Sequence, residues 1–91
     1  MKVTWIFNDG GRKLPYDSFP LAYRAMFQTI KQGVEKGRKY ADMIQCMSVT
    51  GPVAKGIKSN TYSYAAATEK AKDAGVVTTE GQLNSREFRR S

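Results

Sequence analysis

Residues 19–36 are the most restrictive feature of the sequence, because they predict one long helix that has to lie against a core. Asp17 and Ser18 supply oxygens that can cap its first turn, and Pro20 falls where a missing N–H costs little. The apolar residues of the segment share an arc about 100° wide, which is typical of a helix docked on a core. They are Phe19, Tyr23, Met26, Phe27, Ile30 and Val34. The rest of the chain must therefore supply the layer that this stripe covers.

The chain has 91 residues, which is enough for one domain and too few for two independent cores. Hydrophobic residues make up 41% of it, so a small core is expected. We predict a single α+β domain over residues 1–85, followed by a basic tail at 86–91. In this domain two or three helices pack on a small sheet built from an N-terminal strand and a C-terminal strand or hairpin.

The N-terminus predicts the first strand, because Val3, Trp5 and Phe7 recur at every second position. Asp9 and the two glycines after it favour a chain reversal, so a β-hairpin is possible here. Two aromatic residues on one strand face can also form a platform that stacks nucleobases. Residues 2–8 contain only one cation, however, so the pattern favours packing of Trp5 and Phe7 in the core.

The middle of the chain allows two interpretations. Residues 38–50 fit a helix through the spacing of Tyr40, Met43, Ile44 and Met47, and they fit a strand less well. We favour the helix, ended by Gly51 and Pro52, and expect a loop or short edge strand at 53–60.

The last third predicts a third helix. Residues 65–74 are rich in alanine, Thr61 or Ser63 can cap them, and Gly75 stands where a helix commonly ends. Residues 76–79 predict a strand, and residues 83–88 a return strand or helical tail.

Two finer topologies stay open. If residues 40–50 are helical, the order resembles a winged helix with residues 61–74 in the place of the recognition helix. If residues 42–50 and 53–58 are strands, the order βαββαβ resembles the split βαβ sandwich.

The composition argues against catalysis. The sequence has no histidine and one cysteine, Cys46, which removes the common nucleophilic and zinc-dependent mechanisms and any internal disulfide. We expect a non-enzymatic protein without cofactor or metal, located in the cytoplasm. No stretch approaches the 18 apolar residues of a membrane span, so no membrane partner is expected.

Residues 51–59 come within one residue of a phosphate-binding loop. The pattern G-x4-G-K-[ST] is broken by Ile57, which stands between Gly56 and Lys58. The insertion turns the lysine away from the backbone N–H groups, so we expect a flexible loop and no nucleotide hydrolysis. Lys55 and Lys58 could still hold a phosphate as point charges.

Positive charge is the strongest functional signal. The formal net charge is +7, and residues 21–40 hold five cations against one acid. Cations on the polar face of a docked helix attract phosphates, although the same residues also suit a solvated face. We predict binding of nucleic acid, DNA or RNA, through nine residues: Arg24, Lys31, Arg38, Lys39, Lys55, Lys58, Arg86, Arg89 and Arg90.

The alternative is a protein–protein interaction module whose positive surface meets an acidic protein partner. Such a site needs an exposed apolar centre, for which Tyr40, Tyr62 and Phe88 are candidates. Nucleic acid binding instead requires the cations of the first helix, the loop at 51–60 and the tail to share one face. Both functions leave the oligomeric state open.

Overall fold

The computed structural model describes residues 3–78 and 81–83. Its elements follow in the order β1 (Thr4–Asp9), β2 (Arg12–Tyr16), α1 (Phe19–Glu35), α2 (Tyr40–Gln45), β3 (Met47–Val53), β4 (Asn60–Ser63) and α3 (Tyr64–Asp73). The strands form one antiparallel sheet in the order β2-β1-β3-β4. The three helices of this part of the chain pack on one face of the sheet, so the predicted α+β class is confirmed.

The β-hairpin that the N-terminus allowed is present. β1 and β2 pair from Trp5 opposite Tyr16 to Asp9 opposite Arg12, and Gly10 takes the positive φ of 62° that the tight turn requires. Phe7 is buried, and Trp5 packs against the core, as predicted for both. The stacking platform is therefore not available on this strand.

Helix α1 covers the sheet. The hydroxyl of Ser18 accepts a hydrogen bond from the backbone N–H of Leu21 and caps its first turn. Four residues of the predicted stripe are buried, namely Phe19, Tyr23, Met26 and Ile30. Phe27 is half-buried and Val34 is exposed, because both lie at one edge of the buried stripe of α1.

The interpretation of residues 38–50 as one helix is wrong in its second half. Helix α2 ends at Gln45, and β3 begins at Met47 and continues through Gly51 and Pro52, the residues expected to end the element. Met47, Val49 and Gly51 are the buried positions of β3, which is the two-residue alternation of a strand. The last of these positions is a glycine, so the sequence shows no apolar side chain there.

The ring of Trp5 occupies the space that a side chain at position 51 would need. A Cβ atom added to Gly51 would lie 2.5 Å from Cε3 of Trp5. The register between β1 and β3 shifts between Thr4 and Ile6, and a bulge of this kind is where a strand tolerates proline. Pro52 therefore fits in an inner strand.

Helix α3 confirms the third predicted helix. The hydroxyl of Ser63 accepts from the N–H of Ala66, and Ala67 and Ala71 are buried. Of the strand predicted at 76–79, the described part of the chain shows a single bridge between Val77 and Leu83. The return strand or tail predicted at 83–88 lies outside the described residues beyond Leu83.

The order of the described elements, ββααββα, fits neither of the two finer topologies. The winged helix is excluded because its hairpin follows the helices, whereas here the hairpin precedes α1. The split βαβ sandwich is excluded because its first helix follows a single strand and each of its helices joins two strands, whereas here a hairpin precedes α1 and α2 follows α1 directly.

The second face of the sheet is mostly polar, although Ile6 and Pro15 also lie on it. The side-chain amide of Asn8 donates to the hydroxyls of Ser48 and Thr50, at 2.9 and 3.0 Å, and Thr50 shares a hydrogen bond with Thr61 at 2.9 Å. These side chains satisfy one another across three strands. No described helix packs on this face, so the core lies entirely between the helices and the sheet.

Candidate functional site

The direction of α1 gives the molecule two distinct ends. Helix α1 starts beside the start of β1, where the rings of Phe19 and Trp5 are 5.2 Å apart. It ends beside α2, where Gly33 lies against Met43. We call the end where α1 starts the loop end, because it carries residues 54–59 between β3 and β4. We call the end where α1 stops the linker end, because it carries residues 36–39 between α1 and α2. The 17 residues of α1 separate the two ends by about 24 Å.

Three of the predicted site residues lie at or near the linker end, within nine residues of sequence. Lys31, Arg38 and Lys39 are all exposed, and so is Lys36 between them in sequence. We call these four residues the cationic cluster. Within the described residues none of the four forms an ion pair. Their charges therefore face water.

The other predicted cations lie elsewhere. Lys55 and Lys58 are exposed. They lie at the loop end, because Val53 just before them pairs with Thr4 at the start of β1. Arg24 is half-buried on the same flank of α1 as Lys31, two helical turns earlier. Arg86, Arg89 and Arg90 fall outside the described residues. The structure thus separates the loop cations from the cationic cluster, so the single cationic face expected of a nucleic acid site is not formed by α1 and the loop together. A phosphate site is confined to the linker end.

Two further cations reach the linker end without having been predicted. Arg12 and Lys13 open β2 at the tip of the hairpin, and Asp9 beside them pairs with Met47. The N–H of Gly10 donates to the carbonyl of Cys46 at the end of α2. The turn after Asp9 was visible in the sequence, but the direction of α1 relative to β1 was not.

An open groove of about 920 Å³ adjoins the cationic cluster. It is bounded by the second half of α1, the first residues of α2 and α3, and residues 81–83. Three aromatic rings line it, those of Phe27, Tyr40 and Tyr64, and Lys31 lines it as well. Val34 and Tyr40 keep 47% and 48% of their surface exposed. Apolar and aromatic surface is thus open to solvent directly beside exposed positive charge.

Contacts among the helices hold the tyrosines of the groove in place. The hydroxyl of Thr68 donates to the carbonyl of Tyr64 at 2.8 Å, so the hydrogen bond of 3.1 Å between Tyr23 and Thr68 is donated by Tyr23. The rings of Tyr40 and Tyr64 meet edge to face, 5.9 Å apart and at 89°. Desolvation and a hydrogen bond with Tyr64 raise the pKa of Tyr40 to about 12. Its phenol therefore stays protonated well into the alkaline range.

The polar lining of the groove consists of three side-chain amides and two residues of opposite charge, Lys31 and Glu35. Gln28 and Gln32 line it from α1, and Gln82 from the opposite wall. All three residues are exposed, and their amides make no hydrogen bond within the described part of the chain. Each amide offers both a donor and an acceptor to a ligand.

At the loop end, three aromatic residues contact a lysine of the protein itself. Trp5, Phe19 and Tyr62, which we call the aromatic cage, surround the ammonium group of Lys70. The Nζ atom lies 5.6, 5.2 and 5.7 Å from the three ring centroids, within the range of cation–π attraction. Of the predicted exposed centres, Tyr62 is therefore engaged inside the fold, Tyr40 is open, and Phe88 falls outside the described residues.

The remaining motifs add no site. Gly51 and Pro52 of the near-match to a phosphate loop belong to β3, and the turn after them is closed by a bridge between Ala54 and Ile57. Over residues 3–78 and 81–83, no three histidine, cysteine or acidic side chains are grouped as a metal site would need. None of the helices in the same residues combines the length and apolar content of a membrane span.

Comparison with known proteins yields no relative: no protein family, curated protein or solved structure shows significant similarity to this chain.

Proposed function

We propose that the protein binds nucleic acid at the linker end, through the phosphates and without catalysis. The observation that carries the proposal is the cationic cluster. Its four exposed cations fall within nine residues of sequence and have no acidic partner among the described residues. A site for a phosphate backbone needs such unpaired charges, because a cation already paired with a carboxylate would have to give up that partner.

The electrostatics of the linker end favour a polyanion. At the linker end, Glu35 and Asp42 are the acidic residues nearest in sequence to the cationic cluster. Four positive charges therefore stand against two negative ones there. Arg12 and Lys13 add two cations at the hairpin tip, and Asp9, which lies opposite Arg12, adds one acid there. Binding of a phosphate to each lysine or arginine releases a counterion, which predicts an affinity that falls steeply with salt. The single cysteine is the reason to place this activity in the cytoplasm.

The test compares two variants of equal charge. Arg38→Ala with Lys39→Ala, and Lys55→Ala with Lys58→Ala, each remove two of the seven net charges and leave +5. Binding of labelled single- and double-stranded oligonucleotides is measured by fluorescence anisotropy across a salt series. We expect the first pair to lower affinity roughly tenfold and to reduce the slope of log K against log salt by about 2. The second pair should stay close to wild type.

Either of two outcomes would contradict the proposal. One is the absence of binding at low salt, where electrostatic attraction is greatest. The other is an equal loss in both pairs, because binding would then follow net charge alone and not the cationic cluster. Circular dichroism of each variant checks that it is folded.

A second candidate function is supported by the groove. Val34 and Tyr40 form an exposed apolar centre beside the cationic cluster, which is the arrangement expected for an acidic protein partner. Affinity capture followed by competition with an acidic peptide tests it. Capture that is lost in Tyr40→Ala would support a protein partner, and capture that survives would not.

A further inference from the structure

We infer that the groove takes one unpaired nucleobase of the bound strand, so that the site prefers single strands to duplexes. The inference deepens the proposed function and rests on it. It assigns the role of phosphate contact to the cationic cluster and the role of base contact to the groove.

The first argument is continuity. Lys31 belongs to the cationic cluster and also lines the groove, and Lys39 immediately precedes Tyr40, whose ring forms a groove wall. A phosphate held at residues 36–39 is therefore followed directly by a space with aromatic walls. Phosphate and base of one nucleotide require this adjacency of charge and ring.

The second argument is the chemistry of the walls. Phe27, Tyr40 and Tyr64 provide aromatic surface, and every base has a π face that can stack on such a ring. Three glutamine amides line the same groove, and amides can donate to and accept from the edge of a base. An aliphatic peptide side chain would use the apolar wall and leave these amides without a role.

The third argument concerns selectivity. A base inside a duplex is stacked on both faces and paired along its edge, so it cannot enter a groove of this kind without being flipped out. An unpaired base carries no such cost. The cationic cluster alone would bind both forms, and the groove would add affinity for the single strand only.

The experiment compares three ligands with the full-length chain. They are a short labelled single strand, the same strand with its bases removed at several positions, and the corresponding duplex. The abasic strand carries the same phosphate charge as the intact one, so any difference between the two reports base contacts. We expect the intact strand to bind at least about fivefold more tightly than the abasic strand, as one stacked base would give.

Variants assign that preference to the groove. Tyr40→Ala should abolish the preference for the intact strand, and Tyr40→Phe, which retains the ring, should keep it. Ile57→Ala provides a matched control, because Ile57 is an exposed apolar residue at the loop end. Its preference should equal that of wild type. If Tyr40→Ala fails to fold, the comparison of intact and abasic strands on the wild-type chain still tests the inference.

The outcomes separate the two proposals. No binding of any strand at low salt overturns the proposed function and the inference together. Equal binding of intact and abasic strands overturns the inference and leaves phosphate binding standing, as does a base preference that survives in Tyr40→Ala. In a further outcome, the wild-type protein shows no base preference and releases the strand when an acidic, tryptophan-containing peptide is added. That result would assign the groove to a protein partner and would also overturn the inference.

Discussion

The two ends of the molecule place the same kinds of residue in opposite situations. At the loop end, the ammonium group of Lys70 lies between 5.2 and 5.7 Å from three ring centroids, so the aromatic cage already holds a cation of the protein itself. At the linker end, the four cations of the cationic cluster face water, and the rings of Tyr40 and Tyr64 contact each other beside an open groove. Charge and aromatic surface satisfy each other at one end and remain available at the other.

This difference shows why a count of cations says little about a binding surface. Lys70 and Lys39 contribute equally to the net charge, but only Lys39 can approach a phosphate without leaving a favourable partner. Cation–π attraction to a partly desolvated lysine contributes up to about 2 kcal/mol, which a ligand would have to replace. Among the described residues, the four cations of the cationic cluster where helix α1 ends belong to the charge that is available to a ligand, and Lys70 does not.

The largest expected effect concerns the packing beneath the aromatic cage. Gly51→Ala would place a Cβ atom 2.5 and 2.6 Å from two atoms of the Trp5 ring, and a ring cannot yield as a flexible chain end can. We expect a loss of about 1–3 kcal/mol in the free energy of unfolding, as is usual for an overpacked core. Urea denaturation followed by circular dichroism measures it.

Gly33→Ala is the matched substitution at the linker end. Its Cβ would meet the sulfur of Met43, the flexible part of a side chain, and alanine is favoured over glycine within a helix by about 1 kcal/mol. The net loss should therefore be smaller than for Gly51→Ala. Equal losses would show that the cage end is no more rigid than the linker end, and would weaken the contrast between them.

The next effect tests whether the aromatic cage stabilises the fold through its cation. Lys70→Met keeps most of the length of the side chain and removes the charge, so we expect a loss of about 1 kcal/mol in the free energy of unfolding. Oligonucleotide affinity should remain close to that of wild type. Thermal or urea unfolding measures the first quantity, and fluorescence anisotropy the second.

Lys72→Met is the control for Lys70→Met. Both lysines lie in the last turn of α3, so both substitutions remove a charge that favours the same helix end. Lys72 faces Glu69 at 4.0 Å across an exposed pair, which contributes less than about 1 kcal/mol and commonly much less. If the two variants were equally stable, the rings around Lys70 would contribute nothing beyond its charge.

Periodic segments of the sequence predicted their elements correctly, and the exceptions have physical causes. The stripe of α1 and the capped alanine segment of α3 repeat over several turns, which made both helices visible. Strand β3 was missed because its inward position at Gly51 carries no side chain, so its alternation stops where the Trp5 ring takes the space. The Gly-Pro pair that suggested an end is instead accommodated by the bulge.

The candidate site was only partly visible. The cations of residues 31–39 stood out because they are close in sequence, and Tyr40 was named as a possible exposed centre. The separation of Lys55 and Lys58 from them depends on the direction of α1 along the sheet, which local patterns do not encode. The groove joins residues from α1, α2, α3 and 81–83, so no single stretch of sequence could indicate it. The double variant of Lys55 and Lys58 tests the role predicted for these two lysines, and roles for the three arginines of the tail stay predictions.

The smallest expected effect concerns the open ring of Tyr40. Tyr40→Phe should change the free energy of unfolding at neutral pH by no more than about 0.5 kcal/mol, because the side chain is 48% exposed. In the alkaline range the two proteins should differ. Desolvation and the hydrogen bond with Tyr64 raise the pKa of Tyr40 to about 12 in the fold, above the ordinary value of 10.0. A raised pKa favours the protonated phenol in the folded state, so its contribution to stability is present below pH 10 and is lost as the pH rises toward about 12.

The difference in tyrosinate absorbance between wild type and Tyr40→Phe, recorded through an alkaline titration, isolates this phenol. A midpoint near 12 would show that Tyr40 is held against Tyr64 while much of its surface stays open, which is the geometry that base stacking requires. A midpoint near the ordinary value would mean that the ring is fully hydrated and free of Tyr64. The Tyr40–Tyr64 contact would then be looser than the structure shows, and base stacking at the linker end would rest on a less ordered ring.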